Sequence, residues 1–275
     1  MIAAYGTDHG NHEGQHRMTI WEMLAVFAAG IGAGTINTIV GSGTLITFPV
    51  LLATGLPPVT ANVSNTLGLV PGSISGAIGY RHELRGQRSR IVRLGLTALV
   101  GGLIGAVLLL VLPSSAFDTI VPVLIGLALV LVVLQPKLSA ALTRRREQNG
   151  DSTAGPHPDG GPALLVGLLL ASIYGGYFGA AQGVLYLSLM GLLLHDTLQR
   201  INGVKNILGA VVNGVAAVFF LFVAEFDWTA VALIAVGSAL GGQLGARIGR
   251  RLPPTALRAV IVVVGLIAIT QLLLA

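Results

Sequence analysis

The sequence predicts an all-α, polytopic membrane protein. It reads as two inverted-topology repeats of about five helical segments each, every repeat opening on a broken, re-entrant hairpin. Three observations carry that expectation. The 275-residue chain is 53% hydrophobic and 10% charged, with a mean hydropathy of +0.83, whereas soluble domains carry about 25% charged residues. Several apolar runs reach the roughly 20 residues needed to cross a hydrocarbon core, and the alternating segments of a β-barrel are absent. Finally, a shift of 140 residues brings the two halves into register without a gap.

In that register Gly43 falls on Gly183, Asn62 on Asn202, Asn65 on Lys205 and Ala77 on Ala217. "VGGLIGA" (100–106) falls on "LGGQLGA" (240–246), and Leu112-Pro113 on Leu252-Pro253. Shared Gly and Leu mean little in so apolar a chain. The paired asparagines and the spaced glycine motif with its downstream proline are specific enough to define two repeats.

The elements follow in order. Residues 1–21 are polar and hold His9, His12 and His16. They lack the charged start and apolar stretch of a signal peptide and read as a solvated tail rather than a metal site. Repeat 1 covers 22–140. It opens on an apolar stretch interrupted by Gly and polar residues (22–56), with helices following at 58–80, 90–112 and 116–138. A polar linker (141–161) containing "RRREQNGDSTAGPHPDGG" reads as disordered. Repeat 2 covers 162–275, with its interrupted stretch at 162–195 and helices at 198–223, 229–249 and 255–274.

Charge supplies orientation. "RHELRGQRSRIVR" (81–93), Arg144–Arg146 and the group Arg247, Arg250, Arg251, Arg258 are basic and are expected to be cytoplasmic. The loops near Asp118 and near Glu225 and Asp227 lack Lys and Arg and are expected outside, with Trp21 and Trp228 as interface anchors. Helix 58–80 then ends inside and its counterpart 198–223 ends outside, so the repeats are inverted. Each interrupted stretch must enter and leave on one side, bending at "VGSG" (40–43) and "AAQG" (180–183). The result is ten helical pieces with both termini extracytoplasmic, in a cell membrane. Inverted repeats with broken helices are typical of secondary transporters.

The bends carry the candidate chemistry. Short helices beginning near Thr44 and Val184 would bring their N-termini to the midplane, where unpaired N–H groups attract anions. Gly41, Ser42, Gly43 and Thr44, with Gln182, Gly183 and Val184, are the candidate backbone donors; the glycines serve equally well as packing residues. The following helices bring Asn62, Ser64 and Asn65, and Asn202, Lys205 and Asn206. Polar groups in lipid face a cavity or another helix. Two readings of Lys205 stay open at this point: a cavity-facing ammonium, or a side chain snorkelling to the cytoplasmic surface. Asn37, Gln182, Tyr174 and Tyr177 lie beside the bends and are candidates for the path.

Several classes are excluded or disfavoured. No cysteine is present, so disulfides and thiol chemistry are out. The net charge of +5 reflects short loops rather than a nucleic-acid surface. Gly41-Ser42-Gly43 superficially resembles a serine nucleophile, but its base candidate, His195, falls at the cytoplasmic edge. No intramembrane Asp or Glu offers a proton relay. The expected partners are the lipid bilayer and a small anion, with no cofactor and no metal; oligomeric state is unread.

"GIGAGTINTIVGSGTLITFPVLL" (30–52) and "TANVSNTLGLVPGSISGAI" (60–78), repeated as "YGGYFGAAQGVLYLSLMGLLL" (174–194) and "RINGVKNILGAVVNGVAAV" (200–218), resemble the sulfite exporter family of TauE/SafE-type transporters. The resemblance covers nearly all of 22–275. That family's second half commonly carries a Gly-Thr-Ser-Lys-like run. Gly203-Val204-Lys205-Asn206 keeps the lysine without the hydroxyls, and Val63-Ser64-Asn65 keeps only Ser64. The resemblance implies transport of a sulfur-containing anion such as sulfite, sulfoacetate or another organosulfonate. The expectation is a secondary transporter working by alternating access around a midplane site. Its rivals are a passive anion channel and an intramembrane enzyme or scaffold without transport.

Overall fold

A computed structural model describes residues 18–149, 160–194 and 196–248, with Val262, Val263, Leu266 and Thr270. The tail, part of the linker, His195 and most of the expected last helix lie outside the described residues. Within them the chain is helical, with no strand. Nine helices follow one another: α1 (Ile20–Ile39), α2 (Thr44–Ala53), α3 (Pro58–Gly79), α4 (Arg88–Val111), α5 (Ser114–Asn149), α6 (Gly161–Tyr177), α7 (Gln182–Leu193), α8 (Leu198–Val223) and α9 (Trp228–Ile248). Four of them, α1, α4, α8 and α9, are long and apolar enough to cross a membrane. Exposed Val92, Leu96, Leu99 and Leu103 on α4 suit hydrocarbon rather than water.

Helix starts follow local chemistry. Thr19 and Glu22 form a capping box at α1, each side chain accepting the other's backbone N–H. Pro58 opens α3, where its missing N–H costs nothing. Thr197 caps α8 by accepting the Arg200 N–H.

Both interrupted stretches are broken helix pairs. The first break falls at 40–43, as read. The second falls at 178–181, so α7 begins at Gln182, two residues before the expected Val184. Gly179 (φ 75°) and Ala181 (φ 57°) take left-handed backbone there and place the turn earlier. A second difference lies in α5. It continues to Asn149, into the segment expected to be disordered, because the Ala, Leu, Arg, Glu and Gln residues there are good helix formers.

Packing treats the halves alike. α1 packs on α9, and α6 on α4; α3 packs on α9, and α8 on α4; α3 and α8 meet at the centre. The repeated glycine motif serves the same contact twice. A Cβ on Gly101 or Gly105 would strike α6 at Leu169, Ser172 or Ile173, and one on Gly241 would strike Ile31 of α1. Small residues at four-residue spacing let such helices approach closely where no hydrophobic effect drives them together.

Candidate functional site in the broken-helix centre

The two breaks meet. The Gly183 N–H donates to the Gly41 carbonyl at 2.9 Å. A Cβ on Gly41 would lie 2.3 Å from the Gly183 Cα, and one on Gly183 2.4 Å from the Gly41 Cα. Gly41 also has φ 90°. Both contact and conformation therefore require glycine there.

Beside this crossing lies a small polar cavity. Its walls include Gly41 and Thr44 from the first broken pair, Gln182 and Gly183 from the second, and Lys205 and Asn206 from α8. Six of the twelve residues proposed from sequence are thus brought together. Ser42, Gly43, Asn62, Ser64, Asn65 and Asn202 are not on its walls. Asn37, Ser73, Tyr186 and Asn213 are; the last three were missed by sequence reasoning. For Ser73 and Asn213 the signal was available. Leu69 and Ser73 continue the stripe from Asn65 at four-residue spacing, and Gly209 and Asn213 continue it from Lys205, with the same 140-residue offset between stripes.

Lys205 is 2% exposed. Its Nζ donates to the main-chain oxygens of Asn37 at 2.9 Å and Thr38 at 3.0 Å. These carbonyls belong to the last turn of α1, where the helix dipole is negative and acceptors lack intrahelical donors. The ammonium therefore sits at a broken helix end against the cavity and does not snorkel to the surface. Asn202 and Asn206 each add an Nδ2 donor to the same Thr38 oxygen, at 3.3 Å.

The other polar residues form local networks. Asn65 donates to Thr44 Oγ1 at 3.2 Å and accepts a short bond from the Thr47 hydroxyl, tying α3 to α2. Asn62 Nδ2 donates to the Tyr177 carbonyl at 3.0 Å. Ser64 Oγ accepts the Asp227 N–H at 3.0 Å, away from the cavity. Gln182 Nε2 donates to Tyr186 OH at 2.6 Å, which pairs with Ser172 at 2.7 Å. Asn37 Nδ2 reaches Ser73 Oγ at 3.3 Å.

The two short helices differ at their N-termini. The amides of Gln182, Gly183 and Val184 are taken by the carbonyls of Gly179, Gly41 and Ala181. Those of Ser42, Gly43 and Thr44 have no acceptor among the described residues. The Ser42 hydroxyl is likewise buried without a partner. Donor capacity is therefore concentrated at the start of α2 and at Lys205. No group of three or more metal-ligating side chains occurs among the described residues.

Two broken helix pairs around a polar centre, with a buried lysine on α8, are the arrangement expected from the sequence motifs, and residues 26–272 match the family described as Sulfite exporter TauE/SafE. The chain belongs to the TauE/SafE family. It is a multi-pass membrane transporter of that family. Among its relatives is a "Probable membrane transporter protein YfcA" of Escherichia coli K12, 27% identical over 249 residues, covering 90% of this chain and 88% of the relative. A "Probable membrane transporter protein" of Haemophilus influenzae is 26% identical over 246 residues, covering 88% and 91%. A third, "Probable membrane transporter protein ORF9" of a Sinorhizobium species, is 26% identical over 222 residues, covering 81% of each. No solved structure matches this TauE/SafE chain.

Proposed function

We propose that this TauE/SafE protein is a secondary transporter of a small sulfur-containing anion, sulfite or a short organosulfonate, bound in the central cavity. The observation that carries the reading is Lys205. An ammonium has three N–H donors. Two are occupied by the α1 carbonyls, which leaves one for an entering anion. A positive charge held at membrane depth is costly unless it has work to do. The unpaired amide of Thr44, which lines the cavity, adds a donor on the α2 side. The limited cavity favours a compact oxyanion over a bulky one.

The matched packing of α1 on α9 and α6 on α4 supports alternating access by two inverted repeats about this centre. Proteoliposome uptake of labelled sulfite, sulfoacetate, taurine and sulfate tests the proposal, with counterflow separating carrier from channel. Lys205→Met should lower apparent affinity for the transported anion at least about tenfold, the usual worth of a charge-assisted hydrogen bond. Unchanged affinity would remove Lys205 from the site.

A further inference from the structure

Asn62 and Asn202 occupy equivalent positions, 140 residues apart, on α3 and α8. Both are buried, and neither lines the cavity. Each reaches across to the opposite half. Asn62 donates to Tyr177, in the last turn of α6, and Asn202 donates to Thr38, in the last turn of α1. A helix interrupted inside a membrane leaves carbonyls that only protein can satisfy. Each asparagine therefore supplies a donor to the end of the other half's broken helix. The amide oxygens, Asn62 Oδ1 and Asn202 Oδ1, have no partner in either case, so the nitrogen is the working atom in both.

The two ends are not equally held. The Thr38 oxygen accepts from Asn202, Lys205 and Asn206. Among the described residues the Tyr177 oxygen accepts from Asn62 alone. The second break also contains Ala181 at φ 57°, a conformation that costs a residue with a side chain about 1 kcal/mol or more. Gln182 and Gly183, which follow it directly, form one wall of the cavity.

We propose that Asn62 and Asn202 are positioning residues for the transport site rather than contacts to its substrate. The α6 end, at the Tyr177 carbonyl, depends on Asn62 while the α1 end, at Thr38, is held redundantly; within the second break the Tyr174 hydroxyl separately donates to the Ala180 carbonyl at 2.5 Å. This rests on the transport reading above only for its kinetic consequence. Loss of Asn62 frees the end of α6, lets 178–181 open and shifts the Gln182–Gly183 wall. Loss of Asn202 leaves two donors on Thr38.

The test compares Asn62→Ala with Asn202→Ala in the full chain by hydrogen exchange in detergent and by sulfite uptake in proteoliposomes. Asn62→Ala should speed exchange across 178–183 about tenfold, the worth of one buried carbonyl losing its donor, and leave 40–43 unchanged. It should raise KM about tenfold with a smaller change in the maximal rate. Asn202→Ala should change either quantity less than about threefold. If Asn62→Ala is not recovered folded, Asn62→Ser takes its place, its hydroxyl being too short to reach Tyr177. Equal KM rises in both variants without altered exchange would make them substrate contacts and overturn the proposal. So would faster exchange at 40–43 in Asn62→Ala. If the wild type moves no sulfite, the transport reading fails, and the exchange comparison still decides this one.

Discussion

At the residue scale, the glycines of the breaks and the lysine beside them do different work. Gly41 and Gly183 approach so closely that a methyl group on either would overlap the other's backbone. Gly41→Ala also places a side chain at φ 90°. We expect Gly41→Ala and Gly183→Ala each to lower stability by about 1–3 kcal/mol, the usual cost of overpacking, and to abolish most transport. Thermal unfolding in detergent and uptake measure the two effects. A variant with wild-type unfolding and uptake would show that the contact yields easily. Lys205 was legible as an oddity in an apolar run, but its hydrogen-bond partners were not. They are main-chain oxygens some 168 residues away in sequence, and backbone acceptors leave no mark in a side-chain pattern.

At the element scale, helices and breaks were legible because Gly, Pro and polar residues interrupt apolar runs at fixed places. The 40–43 break and the start of α8 at Leu198 came out as read. The second break moved by two residues because Ala181, an ordinary helix former, adopts left-handed backbone, and nothing in its side chain announces that. Ser73 and Asn213 escaped notice because each lies two turns beyond its conspicuous neighbour, Asn65 or Lys205, with an apolar or small residue between, and so resembles a packing residue. The turn between α7 and α8 carries an ionic strap. Asp196 pairs with Arg90 of α4 at 2.5 Å and with Arg200 of α8 at 2.8 Å. Partial burial alone would raise the Asp196 pKa, but the Arg90 hydrogen bond, the Thr197 amide and the two arginine charges outweigh it and hold the carboxyl below its ordinary range. A depressed carboxylate pKa stabilises the fold above the ordinary value near 3.9, and this contribution is lost as pH falls through the lower, folded value. Asp196→Asn should therefore cost about 1–2 kcal/mol near neutral pH, and the difference from wild type should shrink in acid. Melting curves at pH 7 and below pH 4 report it; an equal loss at both would assign the effect to packing.

At the scale of the whole molecule, the two halves use the same pairs of contacts with their roles exchanged. The glycine motifs at 100–106 and 240–246, paired by the sequence register, lie at the two equivalent crossings, although the register did not say which helices would meet there. The proposed inversion across the membrane has a direct test. Cysteine placed at Arg85 of this cysteine-free chain should be labelled only from the cytoplasmic side of oriented vesicles; labelling from outside alone would reverse the orientation and undo the charge argument.

The meeting of Gly41 and Gly183 has a mechanical consequence. Peptide planes without side chains cannot interlock, so sliding one past the other meets no rotamer barrier. The one hydrogen bond that joins them has a net worth of about 1 kcal/mol. Under the alternating access proposed above, the seam would serve as a bearing: tight enough to exclude a methyl group, with no side chain to obstruct slip.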